Sequence, residues 1–324
     1  MRFIPFTLRG VAVLAVSATL GLASAVVQAE RVIRIVVPFG PGATQDTVAR
    51  TFSQELGQAL GATVVVENRA GAGGSVGTAQ VARSAPDGNT LVLAAASHHL
   101  SGHLYSKLPY DPVKDFVGVA YLGRTGYVVG VPASLGVDSL QAWIAQAKAR
   151  PGAFNYASAG NGSASHLATA LLAAKAGLDL QHIPLKSTGD ATTELLAGRV
   201  QVVTGASIAM LAFKEDARVT LLAYAGQSRS RFLPDLPTVA EAGVPGFAFD
   251  SWLGLLAPAG TPPAEIDKLN KAVNQVLANP VVQERLARVG VEAATESAQG
   301  FQALLKDDWT LSGEVVQAAG GRID

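Results

Sequence analysis

The chain has 324 residues, 49% hydrophobic and only 15% charged, with 25 lysines and arginines balanced by 25 aspartates and glutamates. That composition excludes a disordered chain and leaves no basic footprint for nucleic acid. There are no cysteines, which excludes disulfides, cysteine-held zinc, a thiol nucleophile and an acylated N-terminal cysteine.

The first segment stands apart. Arg2 and Arg9 lead into the apolar run VAVLAVSATLGLASAVV, and Val27-Gln28-Ala29 sets small residues at the two positions a signal peptidase reads. This order predicts a signal peptide over residues 1–29, a mature chain starting near Glu30, and export to the periplasm without a lipid anchor. Its removal takes away two arginines and no acid, leaving 23 basic residues against 25 acidic ones. No later stretch holds 18 uninterrupted apolar residues, so no other segment is expected to span a membrane.

Short apolar strands then alternate with amphipathic helical stretches, the pattern of α/β layers. RIVVPF (34–39) predicts a strand, PGATQD a turn and TVARTFSQELGQAL a helix. TVVVEN (63–68) predicts a strand, RAGAGGS a glycine loop and VGTAQVARSA a helix. TLVLAAA (90–96) is a third strand ending in Ser97-His98-His99, and VGVAYLG and YVVGVP give two further apolar runs. A second series follows: the helix SLQAWIAQAKARPG with its proline-glycine stop, FNYAS, a helix beginning near Ser163, QHIPL, the helix DATTELLAG, QVVT and VTLLAYA. After SWLGLLAP (251–258), three segments with apolar residues at helical spacing close the chain. There is no short-period repeat and no low-complexity linker. Two α/β series without a flexible tether predict two lobes that move about a hinge.

Three strands end in turns of one chemical kind: PFGPGATQD (38–46), NRAGAGGSVG (68–77) and SAGNGSASH (158–166). Each sets glycines and small hydroxyl or amide residues where a helix begins, and unpaired N–H groups with the helix dipole make such ends anion sites. Ligands of open α/β sheets settle at the carboxyl ends of the strands. Taken singly, each turn also reads as an ordinary helix cap. A nucleotide site is poorly supported, because the G-x-G-x-x-G spacing begun at Gly160 fails at Ser165 and no P-loop sequence occurs. Gly73-Gly74-Ser75-Val76-Gly77 matches the nucleophile elbow of serine hydrolases, but the polar ENRAGA separates it from its strand. His99 and His103 are four apart, yet no neighbouring acid completes a metal set. His98 reads as a hydrogen-bond donor in a cleft or as a plain loop histidine. The acids of DPVKDF and KDDW, among them Asp308, read as solvated or capping charges.

The runs IRIVVPFGPGATQDTVAR, VVVENRAGAGGSVGTAQVARSAPDGNTLVLA and YSKLPYDPVKDFVGVA, continued by PGAFNYASAGNGSASHLA, QHIPLKS, RSRFLPDLPTVAEAGVPGF and WLGLLAPAGTPPAEIDKLN, resemble the substrate-binding receptors of tripartite tricarboxylate transporters, the Bug receptors. The likeness covers essentially the whole mature chain, in order. It implies a two-lobed, type II-like periplasmic binding protein fold, each lobe a sheet flanked by helices, with the ligand cleft between lobes. Lobe one is expected from residues 30–131 and 252–324, and lobe two from 132–251. The ligands implied are small carboxylates. The turn Phe39 to Asp46 is expected to hold one carboxylate through backbone amides and water, and the turn Ser158 to His166 to close on it from lobe two.

The candidate ligand contacts are therefore Phe39, Gly40, Gly42, Ala43, Thr44 and Asp46, then Ser97 and His98, then Ser158, Asn161, Gly162, Ser163 and His166, and finally Asp190, Ala206 and Ser207. Departures from the family pattern bear on which ligand. PFPPGGPTD becomes PFGPGATQD through Gly40, Ala43, Thr44 and Gln45. A usual proline becomes Asp190, and a usual aspartate becomes Gly205. A negative Asp190 in the cleft would disfavour tricarboxylates; alternatively it caps the helix that follows. The reading is a receptor that needs no cofactor or metal, acts as a monomer, and delivers its ligand to the membrane subunits of such a transporter. The alternatives are an exported hydrolase using Ser75 and a signalling receptor feeding a membrane sensor.

Overall fold

A computed structural model describes Met1 and residues 31–185 and 187–322; the expected signal peptide lies outside these described residues. In chain order, β1 (Val32–Val37), α1 (Thr44–Leu60), β2 (Thr63–Asn68), α2 (Ser75–Ala82), β3 (Thr90–Ala95) and α3 (Ser97–Leu104) form the first series. β4 (Phe116–Pro132) leads into α4 (Leu140–Lys148), β5 (Phe154–Ser158), α5 (Ala164–Ala176), β6 (Leu180–Pro184), α6 (Thr188–Leu196), β7 (Val203–Ala206), α7 (Ser207–Met210) and β8 (Val219–Tyr224). β9 (Asp250–Pro258) returns to α8 (Pro263–Leu277), α9 (Pro280–Arg288), β10 (Glu292–Ala293) and α10 (Ala298–Ala318).

Alternation along the strands dictates the layers. β1 sends Ile33, Ile35 and Val37 to one face and Val36 to the other, and β3 does the same with Leu91, Leu93 and Ala95 against Val92 and Ala94. Strands apolar on both faces must be covered on both. Phe52 and Leu56 of α1 and Leu269 and Val273 of α8 cover the first face, while Phe301 and Leu305 of α10 cover the second. β1 runs parallel to β2 and β3, and β9 lies antiparallel between β3 and β4, giving the order β2-β1-β3-β9-β4-β10. α1 buries Val48, Ala49, Phe52 and Leu56 along one stripe and stops at Gly61, whose φ of 59° is the left-handed cap that favours glycine.

β4 ties this sheet to the second. Through Gly126 it pairs with β9, and from Tyr127 it pairs with β7 and β8. β5 and β6 pair in parallel, and Tyr156 bridges to Val202 just before β7. Val129 and Val131 face Trp143 of α4 and Leu167 of α5, whereas Val128 faces Leu195 of α6 and Met210 of α7. The fold is thus two-lobed α/β, each lobe a sheet flanked by helices. At the strand exchange a Cβ on Gly126 would lie 1.9 Å from Tyr224 Oη, so the Tyr224 ring occupies the space a side chain would need. Beside it Arg124 stands 3.5 Å from Asp250 and 3.0 Å from Glu292. Burial pushes the Asp250 carboxyl up, against the Gln227 N–H and Arg124, which favour its ionised form.

Three local expectations are corrected. Ser97-His98-His99 does not end a strand; these residues open α3, because Leu100 and Leu104 bury against the second lobe's core and Val315 and Val316 of α10. VGVAYLG and YVVGVP are one continuous strand of 17 residues, whose pairing register with β9 shifts between Tyr121 and Gly123, the latter with φ of 132°. α6 begins at Thr188 with Ser187 as its cap, so Asp190 lies in the first turn and does not cap the helix.

Candidate functional site

The turn after β1 is built around one buried carboxylate. Asp46 Oδ2 accepts from the Gly42 N–H at 2.9 Å, and Oδ1 accepts from Asn68 Nδ2 at 2.9 Å and Arg50 Nε at 2.9 Å. Asn68 Nδ2 also donates to the Phe39 carbonyl at 3.1 Å, which fixes the other end of the turn. Burial works to raise the Asp46 pKa, but the bonds from Gly42, Asn68 and Arg50 outweigh it and hold the carboxyl below its ordinary value. Gly42, at φ of 82°, supplies the left-handed residue this turn requires. No side chain caps α1: Ala43 occupies the cap position. The first-turn N–H groups of Thr44, Gln45 and Asp46 therefore have no intrahelical acceptor and carry the positive end of the helix dipole. The carboxylate of Asp46, expected as a ligand contact, is occupied within the turn and shapes it, while the Asp46 N–H stays among the free ones.

The turn after β5 is knotted by hydroxyls and histidines. Ser163 caps α5, its Oγ accepting from the His166 N–H at 3.3 Å, and Ser165 Oγ accepts from the Ala159 N–H at 3.0 Å. Gly162, at φ of 74°, donates its N–H to His166 Nδ1 at 3.1 Å, which leaves the ring proton on Nε2. Ser158 Oγ lies 2.7 Å from His182 Nε2 and 3.1 Å from the Gly160 carbonyl. The His182 ring stacks on His166 at 4.1 Å and on Tyr156 at 4.7 Å. Burial, with a smaller contribution from His166, lowers the His182 pKa to about 4, and burial lowers that of His166 as well. The turn is held by neutral groups at physiological pH. Asn161 stands exposed at its tip.

A recess partly open to solvent brings Phe39 together with Ser97 and His98 at the carboxyl ends of β1 and β3. His98 does not donate into it: its Nε2 lies 2.9 Å from the Pro112 carbonyl, which consumes the ring's N–H. His99 Nδ1 meets Asp308 Oδ2 at 2.7 Å and His103 Nε2 meets the Trp309 carbonyl at 2.9 Å, so the three histidines serve three separate partners. Asp308 is accordingly no solvated charge. Asp111 does cap its own turn, accepting from the Val113 and Lys114 N–H groups. Asp190 is exposed on α6, while Ala206 ends β7 and buried Ser207 opens α7; none of the three shares a hydrogen bond with either turn among the described residues. Gly205 is walled by Met210, whose Sδ would stand 2.7 Å from an added Cβ. Ser75 opens α2 after a left-handed Gly74 and meets no histidine among the described residues. Sequence reasoning missed Asn68, Ser165 and His182; the polar residue ending β2 and the histidine on β6 were the available signals.

A family model described as "Tripartite tricarboxylate transporter family receptor" matches residues 48–320. The chain belongs to this receptor family. The receptor is 36% identical over 311 residues to Protein BugT of Bordetella pertussis, covering 94% of this chain and 95% of that one. R. palustris Rpa4515, solved with adipate, superposes with a TM-score of 0.82 at 30% identity, covering 91% of this chain and all of its own. The periplasmic binding protein BugD superposes with a TM-score of 0.78 at 33% identity, covering 91% of this chain and 99% of its own. The receptor is a solute-binding protein of the two-lobed periplasmic type, and nothing in these likenesses supports a serine hydrolase. Among the described residues, no helix is long and apolar enough to cross a membrane.

Proposed function

We propose that the receptor, exported to the periplasm as a mature chain starting at Glu30, captures a small carboxylate between its lobes. It hands that carboxylate, unchanged, to the membrane subunits of a tripartite tricarboxylate transporter. The observation that carries this is the uncapped start of α1, where three N–H groups are left free by a turn whose only carboxylate is saturated from within. Lobe one comprises about residues 30–131 and 252–324 and lobe two about 132–251, with β4 and β9 as the hinge; the exchange of β4 partners after Gly126 supports that division. The start of α5 brings the Ser163 hydroxyl and the Nε2–H of His166 to the same ligand, while the Gly162 N–H orients the His166 ring through Nδ1. All of these donors are neutral, so the carboxylate is released when the lobes open, and no group is placed to break a bond. Closure removes water and strengthens each contact. The bound adipate of Rpa4515 supports a carboxylate as ligand. Asp190, if it reaches the closed cleft, disfavours a second or third carboxylate there. The receptor acts as a monomer without a cofactor.

Thr44→Pro tests the clamp. Ala43 has φ of −63° and ψ of 158°, a conformation that accepts a following proline, and proline is favoured at the first helical position. The variant removes one N–H and leaves the helix intact. The acid giving the largest thermal shift should bind Thr44→Pro no more than a few-fold more weakly in a calorimetric titration, with unchanged unfolding, because the family motif PFPPGGPTD carries proline at this position and the Gln45 and Asp46 N–H groups stay in place. Unchanged affinity in Thr44→Pro combined with Ser163→Ala places the clamp elsewhere.

A further inference from the structure

The cavity at the ends of β1 and β3 has one feature that a carboxylate clamp does not use. Of its polar wall groups, the Tyr110 hydroxyl bonds to Thr78, and Thr78 Oγ1 donates to the Gly74 carbonyl at 2.9 Å. His98, also in the wall, is 6% exposed. The Pro112 carbonyl 2.9 Å from Nε2 can only accept, so the ring proton is fixed there. Burial, then the neighbouring His99, pushes the His98 pKa down to about 3, so the ring carries no second proton near pH 7. Nδ1 is left as a lone pair, buried and without a partner in the protein. The ring cannot turn to relieve it: Tyr110 stacks on one side at 5.8 Å and Phe116 meets it edge-on at 4.9 Å. A buried acceptor without a donor is costly, and because the ring that carries it lines the cavity, a small displacement of the wall there would let a ligand donor reach it.

We infer that His98 Nδ1 accepts a hydrogen bond from a hydroxyl on the ligand, so that the receptor selects hydroxylated carboxylates over their unhydroxylated counterparts. This rests on the carboxylate reading above and specifies it. Phe39 belongs both to this cavity and to the turn that leads to the free N–H groups of α1, so one small acid spans the two. The donor is a neutral hydroxyl and not an ammonium, because no aspartate or glutamate lines the cavity among the described residues and a buried ammonium would lack its counter-charge.

The test is calorimetric titration of the mature chain with matched pairs: malate and succinate, lactate and propionate, 4-hydroxybenzoate and benzoate. In at least one pair the hydroxylated member should bind about five- to a hundredfold more tightly, the range expected when a buried acceptor is left unpaired. His98→Gln keeps an amide N–H for Pro112 and loses the Nδ1 acceptor, so it should bring that pair within about twofold. His98→Asn, whose side-chain oxygen can lie near the Nδ1 position, should retain part of the preference. Should the glutamine variant not fold, nitrogen NMR of wild-type imidazoles serves: the unprotonated Nδ1 resonance of His98 should move with the hydroxylated probe alone. Equal affinities within every pair that binds, or a preference that survives intact in His98→Gln, overturns the inference and assigns Nδ1 to an ordered water. Failure of every acid to bind overturns the carboxylate reading itself, and this inference with it.

Discussion

Replacing Asp46 with alanine removes the carboxylate that ties the β1–α1 turn together. Its side chain is 6% exposed and accepts from the Gly42 N–H, Asn68 Nδ2 and Arg50 Nε, each at 2.9 Å. A hydrogen bond to a charged group contributes about 1.5–3 kcal/mol net. The Arg50 contact lies at the low end, since that guanidinium side chain is 53% exposed and surface ion pairs contribute roughly 0–1 kcal/mol. Gly42 is exposed, so water replaces part of its lost bond. The three together give a loss of about 2–4 kcal/mol on the same scale, read by urea unfolding at pH 7. Ligand affinity should fall as well, because the turn no longer presents the Thr44, Gln45 and Asp46 N–H groups in one direction. The sign with pH is fixed. A carboxyl held below its ordinary value contributes stability above that value, and the contribution is lost as the pH falls through the lowered one. Wild type and Asp46→Ala should therefore converge in acid, below about pH 4. A variant within about 0.5 kcal/mol of wild type at pH 7, or a gap that does not shrink in acid, refutes the argument.

Ser163→Ala removes the α5 cap, whose bond to the His166 N–H is 3.3 Å long, and should cost about 0.5–2 kcal/mol in urea unfolding. His98 and His182 titrate near 3 and 4 in the folded chain, below the ordinary 6.5, so folding should lose stability as the pH falls from about 6.5 towards 4. Replacing both with phenylalanine should flatten that slope in unfolding measurements across the same range, and an unaltered slope would show that other groups cause it. Gly205→Asp drives a Cβ to 2.7 Å from Met210 Sδ and should destabilise by at least about 1–3 kcal/mol, with partial rescue by Met210→Ala.

The layered fold was legible because its strands carry apolar residues on both faces and its helices carry them at helical spacing; Ile33, Ile35 and Phe52 announce their burial. α3 was not legible. Ser97, His98, His99 and Gly102 favour no helix by themselves, and the segment is helical because Leu100 and Leu104 find a core outside their own sheet. β4 read as two runs because Gly123, Arg124, Thr125 and Gly126 interrupt its apolar pattern where it passes from one lobe to the other. The two turns were legible as helix starts, but not the division of labour within them. The Asp46 carboxylate reads as open to a ligand until its three donors are seen. His98 reads as a donor until Pro112, fourteen residues away, is found holding its proton. His182 carries no local pattern, since its role depends on rings brought from β5 and α5.

The central claim is that a carboxylate, recognised as a carboxylate, is held by neutral donors at the start of α1. The most direct measurement is a thermal-shift screen of the mature chain against small organic acids, each beside its primary amide. A ligand bound only to the folded state stabilises it by about 2.7 kcal/mol at a hundredfold excess over its dissociation constant. At least one acid should raise the melting temperature by several degrees while its amide leaves it unmoved. No shift with any acid, or an equal shift with acid and amide, would contradict the account.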